Sequence, residues 1–150
     1  MAQAERRADV VWEGNLLQGK GTIAAVTSGA LGDLPVSWPA RTEKPGGQTS
    51  PEELLAAAHA SCYAMAFSNV LAQAGNPPER LEVSANVGLD PKAGGGVEVT
   101  FSNLTVRGRV PGIDQAAFEA AAREGEKGCP ISNALRNNVT IGLEATLETA

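Results

Sequence analysis

From Leu54 to Ala74 the chain runs LLAAAHASCYAMAFSNVLAQA, twenty-one consecutive residues without a formal charge. Ser50-Pro51-Glu52-Glu53 precedes it as a complete helix start. Ser50 can cap, Pro51 fits the first helical position, and Glu53 stands where a capping box needs its carboxylate. Gly75 ends the run and Pro77-Pro78 bar its resumption. The spacing predicts one helix over residues 50–75, roughly 35 Å long at 1.5 Å per residue. A helix apolar nearly all round belongs in an interior. One sheet of the same chain covers one face, so the remaining faces call for a second copy. An obligate dimer packed around paired long helices is therefore expected.

The other elements follow from shorter patterns. Residues 8–13 and 20–27 read as strands around the turn Gly14-Asn15. Residues 28–49, rich in Gly, Pro and polar groups with Trp38 among them, read as a loop holding a short strand at most. Leu81, Val83, Ala85, Val87 and Leu89 alternate with polar residues as in a half-buried strand. Gly94-Gly95-Gly96 turns the chain, and Val97, Val99 and Phe101 begin the return. The apolar phase then slips to Leu104 and Val106, which predicts a bulge near Ser102-Asn103. Asp114 caps a second helix, with Ile113 and Phe118 placed as a hydrophobic staple. That helix ends near Gly128, and Cys129 caps a short third helix opened by Pro130. Val139 to Leu147 alternates as a last strand. Antiparallel strands with segregated helices make a single α+β domain over residues 1–150.

Composition excludes several function classes. Hydrophobic residues at 43% and charged residues at 19% are ordinary for a soluble globular chain. Twelve basic against seventeen acidic residues, a net charge of −5, leave no electrostatic footprint for nucleic acid. No apolar run is expected to reach the ~20 residues of a bilayer span, and the N-terminus does not read as a secretory signal. A cytoplasmic, reducing location follows as an expectation. There, two cysteines are rarely a structural staple. Cys62 and Cys129 are then either inert core residues or chemically active ones.

A useful thiol must be a thiolate at neutral pH. Cys62 lies mid-helix in an apolar stripe with Leu55, Ala58, Met65 and Ala66. Burial alone raises its pKa, so it needs a cation. His59 is one turn back and Arg41 lies in the preceding loop; arginine is the better candidate because it stays charged. Cys129 stands at a helix N-terminus, which favours a thiolate, and cysteine is not a preferred cap. Neither belongs to a C-x-x-C pair. Three readings stand open: a cysteine peroxidase with a resolving partner, a hydrolase using His59 and Cys62, and a metal site from His59, Cys62 and Cys129. A non-catalytic dimer binding lipid or small molecules is a fourth. His59 by itself is expected to fill space and bond to a backbone carbonyl.

The segment Thr49-Ser50-Pro51-Glu52-Glu53-Leu54-Leu55, then Ala58-His59-Ala60-Ser61-Cys62, then Gly128-Cys129-Pro130-Ile131-Ser132, resembles the OsmC/Ohr family of osmotically inducible and organic-hydroperoxide-resistance proteins. Trp12-Glu13-Gly14, Gly19-Lys20-Gly21 and Val110-Pro111-Gly112-Ile113 look like its OsmC branch. The resemblance runs over nearly the whole chain. It implies an OsmC-like fold, with antiparallel sheets wrapped around long central helices in an intertwined homodimer. It implies a stress-response peroxidase without metal or prosthetic group, acting on organic hydroperoxides better than on hydrogen peroxide. Dihydrolipoyl groups supply reducing equivalents in several members.

By the same resemblance Cys62 is the peroxidatic cysteine and Cys129 the resolving one, joined as a redox-active disulfide. Arg41 matches the loop arginine and Glu52 the glutamate that pairs with it, which leaves Glu53 for the cap. Glu52 and Cys62 are ten residues apart, ~15 Å along a straight helix. Either Arg41 bridges that gap or Glu52 serves the partner chain's cysteine, and the second is expected. Trp38, Met65 and Phe67 are expected to line the pocket from their positions.

Overall fold

A computed structural model describes residues 1–149. They divide into two compact units, Met1–Leu54 and the chain from Leu55 onward. The elements make the mixed α+β class expected, with two three-stranded sheets and four helices.

In the first unit, β1 (Ala8–Glu13), β2 (Lys20–Val26) and β3 (Gly32–Val36) form an antiparallel sheet in chain order. Trp12 faces Gly21 across the hairpin. A Cβ at Gly21 would stand 2.7 Å from the indole, so glycine there lets the ring lie on the neighbouring strand. The stretch expected as loop holds more structure than its composition suggested. After β3, Ser37 accepts a hydrogen bond from the Ala40 N–H at 3.3 Å and starts the single helical turn α1 (Trp38–Thr42). The strand is set by pairing with β2, and Pro39 suits the first turn of a helix. Neither device leaves a periodic apolar pattern.

The long helix is α2 (Pro51–Gln73). Ser50 Oγ accepts from the Glu53 N–H at 3.1 Å, and the Glu53 carboxylate accepts from the Thr49 hydroxyl at 3.0 Å. At the other end Gly75 adopts φ +83°. The Asn76 N–H reaches the Leu71 carbonyl and the Gly75 N–H that of Ala72, the paired closure that a left-handed residue permits.

In the second unit, β4 (Arg80–Pro91), β5 (Val97–Arg109) and β6 (Thr140–Leu147) form a sheet in that order. Between β5 and β6 run α3 (Gln115–Gly128) and α4 (Pro130–Leu135). Asp114 caps α3 through the Ala117 N–H at 2.8 Å, and buried Phe118 and half-buried Ile113 close the staple. One stripe of α2 at four-residue intervals, His59, Tyr63, Phe67 and Leu71, is buried. It packs with Leu104, Val106, Phe118, Ala122 and Cys129. Phe67 stacks on Tyr63 at 5.6 Å and meets Phe118 edge-on at 5.1 Å between centroids.

Three expectations are corrected here. β6 joins β5 in parallel, so the sheets are not antiparallel throughout; a parallel neighbour needs a long crossover, which α3 and α4 supply. The bulge falls at Thr100, since Gly88 faces Phe101 while Leu89 already faces Val99. Ser102 therefore shares the buried face with Leu104, Val106 and Gly108. Lastly, α2 is 23 residues long with mean hydropathy 1.3 over its most apolar window, enough by length and composition to cross a membrane. Only 22% of that window is buried within the chain, so most of the helix lacks cover from its own sheet.

Candidate active site

In the first unit α1 carries Arg41 in its last turn, where a cation complements the helix dipole. Glu52, in the first turn of α2, is 9% exposed. Its carboxylate accepts from Arg41 Nη2 at 2.7 Å and from Nε at 3.1 and 3.2 Å. This is the two-pronged pairing that fixes a guanidinium plane. The guanidinium also lies 5.8 Å from the Trp38 ring centroid, within cation–π range. Arg41 and Trp38 share a cleft of about 200 Å³ with Trp12, Leu16, Val36, Ser37 and Pro51. Glu52 thus pairs within its own chain, while Glu53 is exposed at the cap.

In the second unit Cys62 and Cys129 are free thiols, the first half-buried and the second fully buried. Burial pushes the Cys62 thiol up. The Ile131 N–H opposes that rise, and the neighbouring Cys129 side chain adds to it. Cys129 is the N-cap of α4, and its sulfur accepts from the Ser132 N–H at 3.5 Å. The corner it occupies is tied on both sides. Its own N–H bonds to the Glu126 carbonyl at 3.2 Å, and Arg136 Nη2 bonds to Glu126 Oε1 at 2.7 Å.

His59 is fully buried. Its Nδ1 lies 2.6 Å from Ser102 Oγ and its Nε2 2.8 Å from Ser132 Oγ. The expected backbone carbonyl is thus replaced by two hydroxyls. Each hydroxyl can donate or accept, so a neutral imidazole of either tautomer is satisfied. Burial lowers the His59 pKa and the Glu126 carboxylate partly offsets that. With both ring nitrogens engaged, His59 has no lone pair free for a metal or for the Cys62 proton.

The sequence reading missed Ser102 and Ser132 as partners of this imidazole. A signal existed: Ser102 is a polar residue in phase with Leu104 and Val106 on a buried strand face. Of the expected pocket residues, Trp38 lines the cleft beside Arg41. Phe67 is wholly in the core and Met65 is 69% exposed; the stacking of Phe67 on Tyr63 and Phe118 removes it from any open surface.

A family model described as OsmC-like protein matches residues 44–144. The peroxiredoxin OsmC of Escherichia coli (strain K12) is 38% identical over 136 residues, covering 91% of this chain and 93% of its own. An organic hydroperoxide resistance protein of Xanthomonas axonopodis pv. citri (strain 306) is 34% identical over 122 residues, with 79% and 82% covered. Among solved structures, the organic hydroperoxide resistance protein OhrB of Bacillus subtilis superposes with a TM-score of 0.73 at 25% identity, over 93% of this chain and 98% of that one. The matched span takes in Cys62, Cys129 and Glu52, and the chain belongs to the OsmC-like family.

Proposed function

We propose that this chain is a thiol peroxidase that reduces organic hydroperoxides to alcohols through Cys62 and Cys129. The Cys62 thiolate attacks the distal peroxide oxygen, the O–O bond breaks, and the alkoxide leaves and takes a proton as the alcohol. Cys62 is left as the sulfenic acid. The Cys129 sulfur then attacks the Cys62 sulfur, the S–S bond forms, the S–O bond breaks, and water departs with the Cys129 proton. A dithiol of the dihydrolipoyl kind returns both sulfurs to thiols and is itself oxidised to a disulfide. No metal or prosthetic group enters.

The observation that carries this reading is the pair of free thiols, one half-buried on α2 and one buried at the cap of α4, packed in the same core cluster. The hydrolase reading loses its general base, because both His59 nitrogens are engaged. Arg41 is assigned the part of hydrogen-bond donor to the thiolate and the peroxide as charge develops, and Glu52 that of its holder. The apolar walls that Trp12, Leu16, Val36 and Trp38 set around the guanidinium support a preference for organic over hydrated peroxides. The working unit proposed is a cytoplasmic homodimer, with the uncovered faces of α2 at its centre.

Consumption of cumene hydroperoxide and of hydrogen peroxide, with dihydrolipoamide as donor, tests the function. The organic peroxide should turn over faster, and Cys62→Ser should remove turnover of both. Consumption no faster than a protein-free blank, or unchanged in Cys62→Ser, would end the proposal.

A further inference from the structure

Ser132 joins two sets of contacts. Its backbone N–H donates to the Cys129 sulfur at 3.5 Å, and its hydroxyl meets His59 Nε2 at 2.8 Å. His59 stands three residues before Cys62 on α2. A buried imidazole therefore links the helix bearing the first sulfur to the first turn of the helix capped by the second. Its other nitrogen is anchored 2.6 Å from Ser102 on β5. All three side chains are fully buried, so no water competes for these bonds and the loss of one leaves an orphan polar atom.

We propose that His59 is a positioning residue for the resolving step, holding the Cys129 turn of α4 against the Cys62 helix through Ser132. The inference rests on the peroxidase reading. It adds that the imidazole acts after the peroxide has gone. The step it governs is attack of the Cys129 sulfur on the Cys62 sulfenic sulfur, forming S–S, breaking S–O and releasing water. A displacement of about 1 Å between reacting atoms costs on the order of a hundredfold in rate. Slow resolution leaves the sulfenic acid exposed to a second peroxide, which oxidises it to the sulfinic acid and is itself reduced to alcohol.

The two serines separate positioning from general support. Ser102→Ala and Ser132→Ala each orphan one nitrogen of the same buried ring, so a purely structural role moves both alike. Two substitutions of His59 divide it the same way: His59→Gln carries an amide to the place of Nε2, and His59→Asn only to the place of Nδ1. Rapid-quench mass spectrometry with cumene hydroperoxide would follow sulfenic acid, disulfide and sulfinic acid in reduced full-length protein. Ser132→Ala and His59→Asn should slow disulfide formation by tenfold or more and accumulate sulfinic acid, with first-step oxidation of Cys62 within about twofold of wild type. Ser102→Ala and His59→Gln should stay within about threefold of wild type in disulfide formation. Equal slowing by the two serine variants, or loss of the first step together with the second, overturns the proposal. A wild-type protein that consumes peroxide without forming the disulfide overturns the peroxidase mechanism and this inference with it. A wild-type protein that forms the disulfide normally, with all four variants unaffected, overturns this inference alone.

Discussion

At the scale of single residues, the chemistry turns on how a sulfur that burial pushes toward the thiol can be ionised when needed. Burial and Cys129 raise the Cys62 pKa, and the Ile131 N–H opposes them. If Arg41 supplies the missing cation, Arg41→Met should move the pH profile of peroxide reactivity upward. Each unit of that shift lowers the thiolate fraction at neutral pH about tenfold, and stopped-flow oxidation from pH 6 to 10 (about this range spans the ordinary cysteine pKa) would read it. His59 gives a second prediction, for stability. Its folded pKa lies below the ordinary 6.5, so above that value it is neutral in both states and contributes nothing. As pH falls through 6.5 the unfolded chain takes up a proton that the native ring resists. Stability is then lost at up to about 1.4 kcal/mol per pH unit until the folded pKa is reached. Thermal melts should show wild type losing more stability on acidification than His59→Gln, which cannot titrate. Much of this scale was legible in the chain itself. The pairing of Glu52 with Arg41 was expected from the resemblance, and Glu53 stands at the cap, where its carboxylate takes the Thr49 hydroxyl. The two serines were not foreseen: one stands on β5 and the other on α4, and only the buried imidazole between them reveals their shared part.

Elements are held by close approaches as much as by apolar area. Gly125 in α3 is one such place: a Cβ there would stand 2.9 Å from the Phe67 Cα and 3.0 Å from its Cβ. Helix backbone cannot give way as a side-chain tip can. Gly125→Ala should therefore destabilise the second unit by about 1–3 kcal/mol despite its better helix propensity, which denaturant unfolding would measure. The ends of α2, α3 and α4 were readable because caps are local devices: Ser50, Gly75, Asp114 and Cys129 all stand where the sequence placed them. β3, α1 and the parallel seat of β6 were not, since each is set by a partner distant in the chain. The bulge was placed two residues late for a related reason. Phe101 lies over Gly88, where a Cβ would meet the ring at 2.1 Å, and only the facing strand reveals that.

Across the molecule, the long apolar stretch of α2 is left largely uncovered by its own chain, which supports the proposed dimer. Met65 is 69% exposed on α2, and β1 is exposed along its whole length, Val10 and Val11 included. Burying such apolar surface is the main drive for association. Light scattering should find twice the 15.4 kDa chain mass, and Met65→Glu should shift that toward monomer by placing a charge in the proposed interface. An unchanged mass in the variant would move the interface elsewhere. The central claim, that two sulfurs from different helices share one redox cycle, has a more direct test. Reduced protein is treated with one equivalent of cumene hydroperoxide, alkylated, digested without reductant and mapped by mass spectrometry. The expected product is a peptide pair joined through Cys62 and Cys129 of the same chain, with no free thiol left at either. Cys129 recovered as a free, alkylatable thiol beside an oxidised Cys62 would contradict the account.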